Sequence, residues 1–206
     1  MANKDAAFGM RAIGKVGQNR DSQGLSEYSI SANATAIYQN DPVEILAAGT
    51  IGVAAAGDAL LGPLTGVFYT DASTSKPTWA NHLKASNTAT DIVGFVSDDP
   101  YERFEVQSSG ATAAADVGMN ADIVYAAGGT PNYVSKVELN HGDLKTGTAQ
   151  LRVIGISKDP ENNEAGSAIA MSVRVGQTVV CQVTDGSAVV VVKGQITAAA
   201  ADGTTC

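Results

Sequence analysis

Two histidines, His82 and His141, are the side chains here best suited to move a proton near neutral pH. Such chemistry needs a Ser, Cys or carboxylate converging on the ring, and the sequence sets neither in a recognisable arrangement. His141 stands in the turn-forming run Asn140-His141-Gly142-Asp143, and His82 in a stretch of weak pattern. The chain has no Gly-x-Ser-x-Gly elbow, no Walker loop for phosphate and no His-Glu-x-x-His pair. Zinc is unsupported, because Cys181 and Cys206 and the two histidines lie singly, without paired-ligand spacing. Oxygen ligands are better grouped: Asp159, Glu161, Asn162, Asn163 and Glu164 in one loop, Asp98, Asp99 and Glu102 in another. Neither matches the calcium loop template with its glycine at the sixth position, so both read as solvated turns. Asp98, Asp99, Glu102 and Glu105 are also the carboxylates from which a glycosidase pair could be drawn, and nothing in their spacing selects one. The reading is of a non-enzymatic chain with no catalytic residue, no cofactor and no metal.

The elements that would position these groups are extended. Strand-like segments recur over residues 28–30, 35–39, 51–56, 66–70, 92–96, 104–107, 122–125, 134–139, 150–156, 168–175, 178–183 and 188–196, with turn clusters between them. Leu151, Val153 and Gly155 alternate with Arg152 and Ile154, and Met171, Val173 and Val175 with Ser172, Arg174 and Gly176, the period of two of half-buried strands. Residues 159–166 between those runs read as a hairpin loop, and Asp185-Gly186 as a two-residue turn. Only residues 76–90 offer a helix: Trp79, His82 and Leu83 fall at i, i+3 and i+4 behind Pro77, while Asn81 and Asn87 make a long loop the alternative. Trp79 is the sole tryptophan, and with Tyr69, Tyr101, Tyr125 and Tyr133 it could form an aromatic binding surface, but in a chain only 5% aromatic these residues read as core anchors. The expected fold is all-β, a sandwich or partly closed barrel with extended N-terminal and C-terminal arms.

Charge is unevenly spread over the 206 residues, whose net formal charge is −8. Residues 1–26 carry +2 from Lys4, Arg11, Lys15 and Arg20 against Asp5 and Asp21, and the remainder carries −10. The acidic balance argues against a nucleic-acid partner, which calls for a basic face. No apolar run is long enough to cross a membrane, and residues 1–26 hold no secretory h-region. Free thiols at Cys181 and Cys206 in a reducing compartment follow as an expectation. Three parts are expected: an extended basic arm over 1–26, a β-rich body over 27–176 and a C-terminal hairpin or arm over 177–206. Phe8, Met10 and Ile13 would supply the arm's apolar contact area, and Arg11, Lys15 and Arg20 its charge. Val189, Val190, Val191 and Val192 are consecutive and β-branched, so an uncovered edge there would invite pairing, and a partner edge is expected to cover them.

The run AAGTIGVAAAGDALLGPLTGVF over 47–68, with Tyr69-Thr70-Asp71 and the later DIVGFV over 91–96, resembles structural proteins of tailed bacteriophages, above all the decoration or cement proteins of the capsid exterior. Residues 149–175 look similar to the closing hairpin of virion proteins. The resemblance implies a homo-oligomer, trimeric by preference, on the outer surface of the virion, where it bridges and stabilises subunits of the major capsid protein. A phage tail or fibre component and a carbohydrate-binding β-sandwich are the alternative readings.

Overall fold

The computed structural model describes residues 3–15, 24–158 and 163–175. In chain order its strands are β1 (Arg11–Lys15), β2 (Ser26–Ser29), β3 (Pro42–Ile45), β4 (Ile51–Val53), β5 (Gly62–Thr70), β6 (Pro77–Ala80), β7 (Val93–Val96), β8 (Glu102–Gln107), β9 (Asn120–Ala121), β10 (Ile123–Val124), β11 (Glu138–Leu139), β12 (Leu151–Ile156) and β13 (Ala170–Val175). The described residues are nearly all β, with 41% of them in strands and 4% in helix. Among the described residues three antiparallel sheets form and none closes into a barrel, an arrangement consistent with the expected all-β sandwich. One sheet runs β1-β8-β13-β12-β9, a second joins β10 and β11, and a six-stranded sheet runs β2-β7-β5-β3-β4 with β6 paired to β5.

Alternation along these strands builds two apolar cores. Phe104, Val106, Leu151, Val153, Met171 and Val173 face inward from the five-stranded sheet and pack with Ile123, Val137 and Leu139. Ile30, Ile37, Val43, Ile51, Leu64, Val67, Leu83, Ile92 and Val96 form the second core under the six-stranded sheet. The β12–β13 pair forms in the alternation read from sequence, with a bulge between Val153 and Gly155. At Gly94 a Cβ would crowd the side-chain ends of Ile30, Ile51 and Leu64 inside the second core.

Two sequence expectations are corrected. No helix forms over residues 76–90: Pro77–Ala80 is an edge strand antiparallel to β5, with Trp79 opposite Phe68. The helical spacing of Trp79, His82 and Leu83 arises because the strand turns its tryptophan outward before the chain bends and buries the other two. Residues 3–15, expected to form part of an extended arm, are built into the protein's own body. Arg11–Lys15 pairs with β8, and Met10 is fully buried in the first core. Asn3 bonds the backbone of Glu164 and Ser167, and Asp5 and Ala6 bond the Gln107 side chain. A strand ladder and a buried thioether within the chain offset the cost of ordering these residues. Arg20, Val189, Val190, Val191 and Val192 lie outside the described residues, as does the whole of 177–206.

Met10→Ala is therefore expected to lower the unfolding free energy by about 2–5 kcal/mol in urea denaturation, the usual cost of emptying a buried large apolar site. A solvated arm would give a change near zero.

Candidate functional surfaces

The residues expected to meet a partner divide into used and free groups. Phe8 is half-buried, its carbonyl accepting from the Asn40 side chain at 3.0 Å, with the Arg11 guanidinium 4.9 Å above its ring. Arg11 also pairs with the Glu105 carboxylate, and Lys15 with Asp99. Met10 has no exposed surface; Ile13, at the β1 bulge, is 42% exposed. Of the arm residues described, Ile13 and Leu25 keep large apolar side chains free for contact.

The acidic groups are likewise engaged. Asp98 accepts from Ser26 Oγ at 2.8 Å and from the Tyr28 hydroxyl at 2.6 Å. Burial, aided by the Asp98 carboxylate, pushes the Tyr28 phenol up to about 12. Asp99 accepts from Lys15 and from the Tyr101 N–H, which hold its carboxyl below the ordinary range, while Glu102 accepts from the Gly14 N–H. These carboxylates fasten the edge strands β1 and β2 to the loop before β8. A shallow groove of about 500 Å³ lies over them, between Leu25 and Tyr101. Among the described residues no three His, Cys, Asp or Glu side chains group as metal ligands.

Among the described residues no hydrogen bond joins either histidine ring to a Ser, Cys or carboxylate. The His82 ring stacks on Tyr133, with centroids 4.0 Å apart and planes 1° from parallel, and Tyr38 lies parallel on it at 6.3 Å. Nδ1 is 2.8 Å from Asn81 Oδ1, and the buried Nε2 has no partner. Burial and the nearby Lys84 lower the His82 pKa, so the ring is neutral at pH 7. The stack clamps three separate segments together. His141 sits in a tight turn capped by Asn140, whose side chain accepts the Gly142 N–H.

Sequence reasoning missed one buried acid. Asp41 has no exposed surface, and its carboxylate accepts from the Tyr38 N–H at 2.7 Å. Burial pushes this carboxyl up to about 6 against the opposing pull of the Ser135 hydroxyl and the Tyr38 N–H. Nothing in the Tyr38-Gln39-Asn40-Asp41 run marks it as more than a surface turn, since its burial comes from distant segments.

Two of the free surfaces are apolar. Trp79 is 58% exposed on the outward face of the six-stranded sheet, which corrects its reading as a core anchor. Its indole lies over Gly66, where a Cβ would stand 2.8 Å from Cζ2. The Phe95 ring lies 4.8 Å away at 47°, and Phe68 is the cross-strand partner of both Trp79 and Val93. Phe68, Trp79, Val93 and Phe95 thus share one face, with Glu27 and Ser29 beside them on β2. A second free patch is the β3–β4 tip, where Ile45 and Leu46 are exposed.

In comparisons with known proteins, no family model matches this chain, and no curated protein or solved structure matches it either.

The position of Asp41 sets a pH dependence. Its carboxyl titrates near 3.8 in the unfolded chain and near 6 in the fold. The unfolded state therefore releases the proton first, and this group's contribution to stability falls as pH rises from about 3.8 to 6, then stays at the lower level. The span is worth about 3 kcal/mol. Asp41→Asn lacks this titration, so its stability relative to the wild type is expected to rise by about that amount between pH 3.5 and pH 7, measured by urea denaturation at both. Parallel pH profiles would contradict the assignment.

Proposed function

We propose that this protein is a non-enzymatic structural component of a tailed-phage particle, attached to the outside of the capsid shell, where it bridges and stabilises major capsid subunits. The observation that carries the reading is the outward face of Phe68, Trp79, Val93 and Phe95. A contiguous aromatic face on a rigid sheet marks a surface that another surface covers, and aromatic residues supply a large share of binding energy when they are desolvated. The missing side chain of Gly66 leaves room for the indole against β5, so the ring is seated before contact. The apolar β3–β4 tip adds a protruding contact of the kind that lodges between subunits. The sequence likeness to decoration proteins supplies the shell as the partner and homo-oligomerisation as the assembly state. In this reading a bridging protein requires interface area and rim charge, and no reactive group.

The same indole favours a second reading, a carbohydrate-binding sandwich, because a flat exposed tryptophan stacks well on a pyranose face.

Co-sedimentation of the purified chain with empty phage capsids tests the first reading, and titration with an oligosaccharide panel followed by the fluorescence of Trp79 tests the second. Trp79→Ala and Gly66→Ala, the latter displacing the indole, are each expected to reduce capsid binding about tenfold or more while the circular dichroism spectrum is unchanged. Full retention of binding by both variants would remove this face from the attachment surface.

A further inference from the structure

The outward face of the five-stranded sheet carries a charge opposite to that of the molecule. Arg152 of β12 is the direct cross-strand partner of Arg174 of β13. Continuing the β8–β13 register one residue beyond the Phe104–Val173 pair sets Arg103 on the other side of Arg174. The row ends at Gly14, opposite Arg103, and at Asn120, opposite Arg152. Phe104, Val153 and Val173, which alternate with these arginines, are buried in the first core, so the arginines stand on the face turned away from it. Adjacent strands lie about 4.8 Å apart, and three of them set three cations in a line about 10 Å long.

Like charges directly opposite one another destabilise a sheet, so an unrelieved row of this kind calls for a counter-charge. The surrounding acids do not provide it. Glu105, in the next outward row, is taken by Arg11 and the Ser157 hydroxyl, and Asp99 is taken by Lys15. Among the described residues Arg103, Arg152 and Arg174 enter no ion pair, and the Nε atoms of Arg103 and Arg174 are buried without a hydrogen-bond partner. Of the described N-terminal residues, Asp5 and Ala6 bond this face at Gln107, beyond Glu105. Beside the row lie Ser172 and Gly155, small residues that let a second chain approach.

We propose that Arg103, Arg174 and Arg152 form a binding site for the carboxylates of an acidic, extended protein segment laid over β8, β13 and β12. Guanidinium groups bind carboxylates through paired N–H donors, and alternate residues of an extended chain repeat on one face about every 7 Å, so two carboxylates span the row. A nucleic acid fits less well. The cationic row is short, Glu105 stands beside it, and the net charge of −8 repels a long polyphosphate. The site does not depend on the shell reading, because it rests on a different sheet and on charge alone.

The test is titration of the full chain with a hexaglutamate peptide, and in parallel with a six-residue thymidine oligonucleotide, by calorimetry at low salt. Hexaglutamate is expected to bind, to weaken as salt rises, and to lose tenfold or more in affinity on Arg174→Gln or Arg152→Gln. Lys136→Gln, an exposed change off the row, leaves binding intact. Arg174→Gln is also expected to raise the melting temperature by relieving like-charge repulsion, which separates loss of the site from loss of the fold. Should Arg174→Gln fold poorly, Arg152→Gln at the exposed end of the row decides. Hexaglutamate affinity that is absent, or equal in the wild type and the arginine variants, overturns the proposal. So does tighter binding of the oligonucleotide than of hexaglutamate.

Discussion

A carboxylate with no exposed surface sits where the two cores meet, and much of the connectivity passes through its turn. Asp41 accepts the Tyr38 N–H, and its own N–H donates to the Tyr38 carbonyl at 3.0 Å, closing the turn on itself. The residues so held serve both halves of the molecule. Asn40 accepts from the Met10 N–H and donates to the Leu64 carbonyl, while Gln39 exchanges backbone bonds with Tyr133 and Ser135. One four-residue turn therefore anchors the N-terminal segment, strand β5 and the 133–135 loop. Asn40 adopts φ +67°, a left-handed conformation that asparagine tolerates better than most residues. Burying the acid costs stability at neutral pH, and the fold retains it because the bonds it organises join segments from three parts of the chain.

The aromatic stack of Tyr38, His82 and Tyr133 closes the same joint from outside the turn. Gln150 adds a third tie, its side chain donating to the Ala55 and Asp58 carbonyls while its Oε1 accepts from Ile123. With the interior committed to packing and to these polar ties, the outward faces of the two larger sheets are left for contact. They differ in kind: the six-stranded sheet presents aromatic rings and the five-stranded sheet presents guanidinium groups. A body with one apolar face and one cationic face is equipped to meet chemically different surfaces at once.

The charge distribution illustrates how tertiary structure revises a linear reading. Counted along the chain, basic charge is concentrated in residues 1–26. In space, Arg11 and Lys15 are spent on Glu105 and Asp99, and three arginines without acid partners among the described residues lie side by side on β8, β12 and β13. Sequence reading identified Arg152 and Arg174 only as the polar members of alternating strands. Their pairing with each other, and with Arg103, depends on the registers of three strands far apart in sequence.

What the residue order determined by itself is the all-β class and the position of most strands. Period-two alternation and the turn residues act within a few residues, so the β12–β13 hairpin and strands β5, β7 and β8 were legible. Strand β1 was not, because the bulge between Ala12 and Gly14 breaks its alternation and its apolar anchor, Met10, lies just outside it. Strand β6 was misread because three residues at helical spacing belong partly to a strand and partly to a bend. Tertiary structure alone decided that Met10 is core and Trp79 is surface, that Asp41 is buried, and that three arginines stand side by side. The physical reason is the range of the forces involved. Which way a side chain points in a strand is set by its neighbours in sequence, whereas what it touches is set by pairing and packing with segments that no local pattern names.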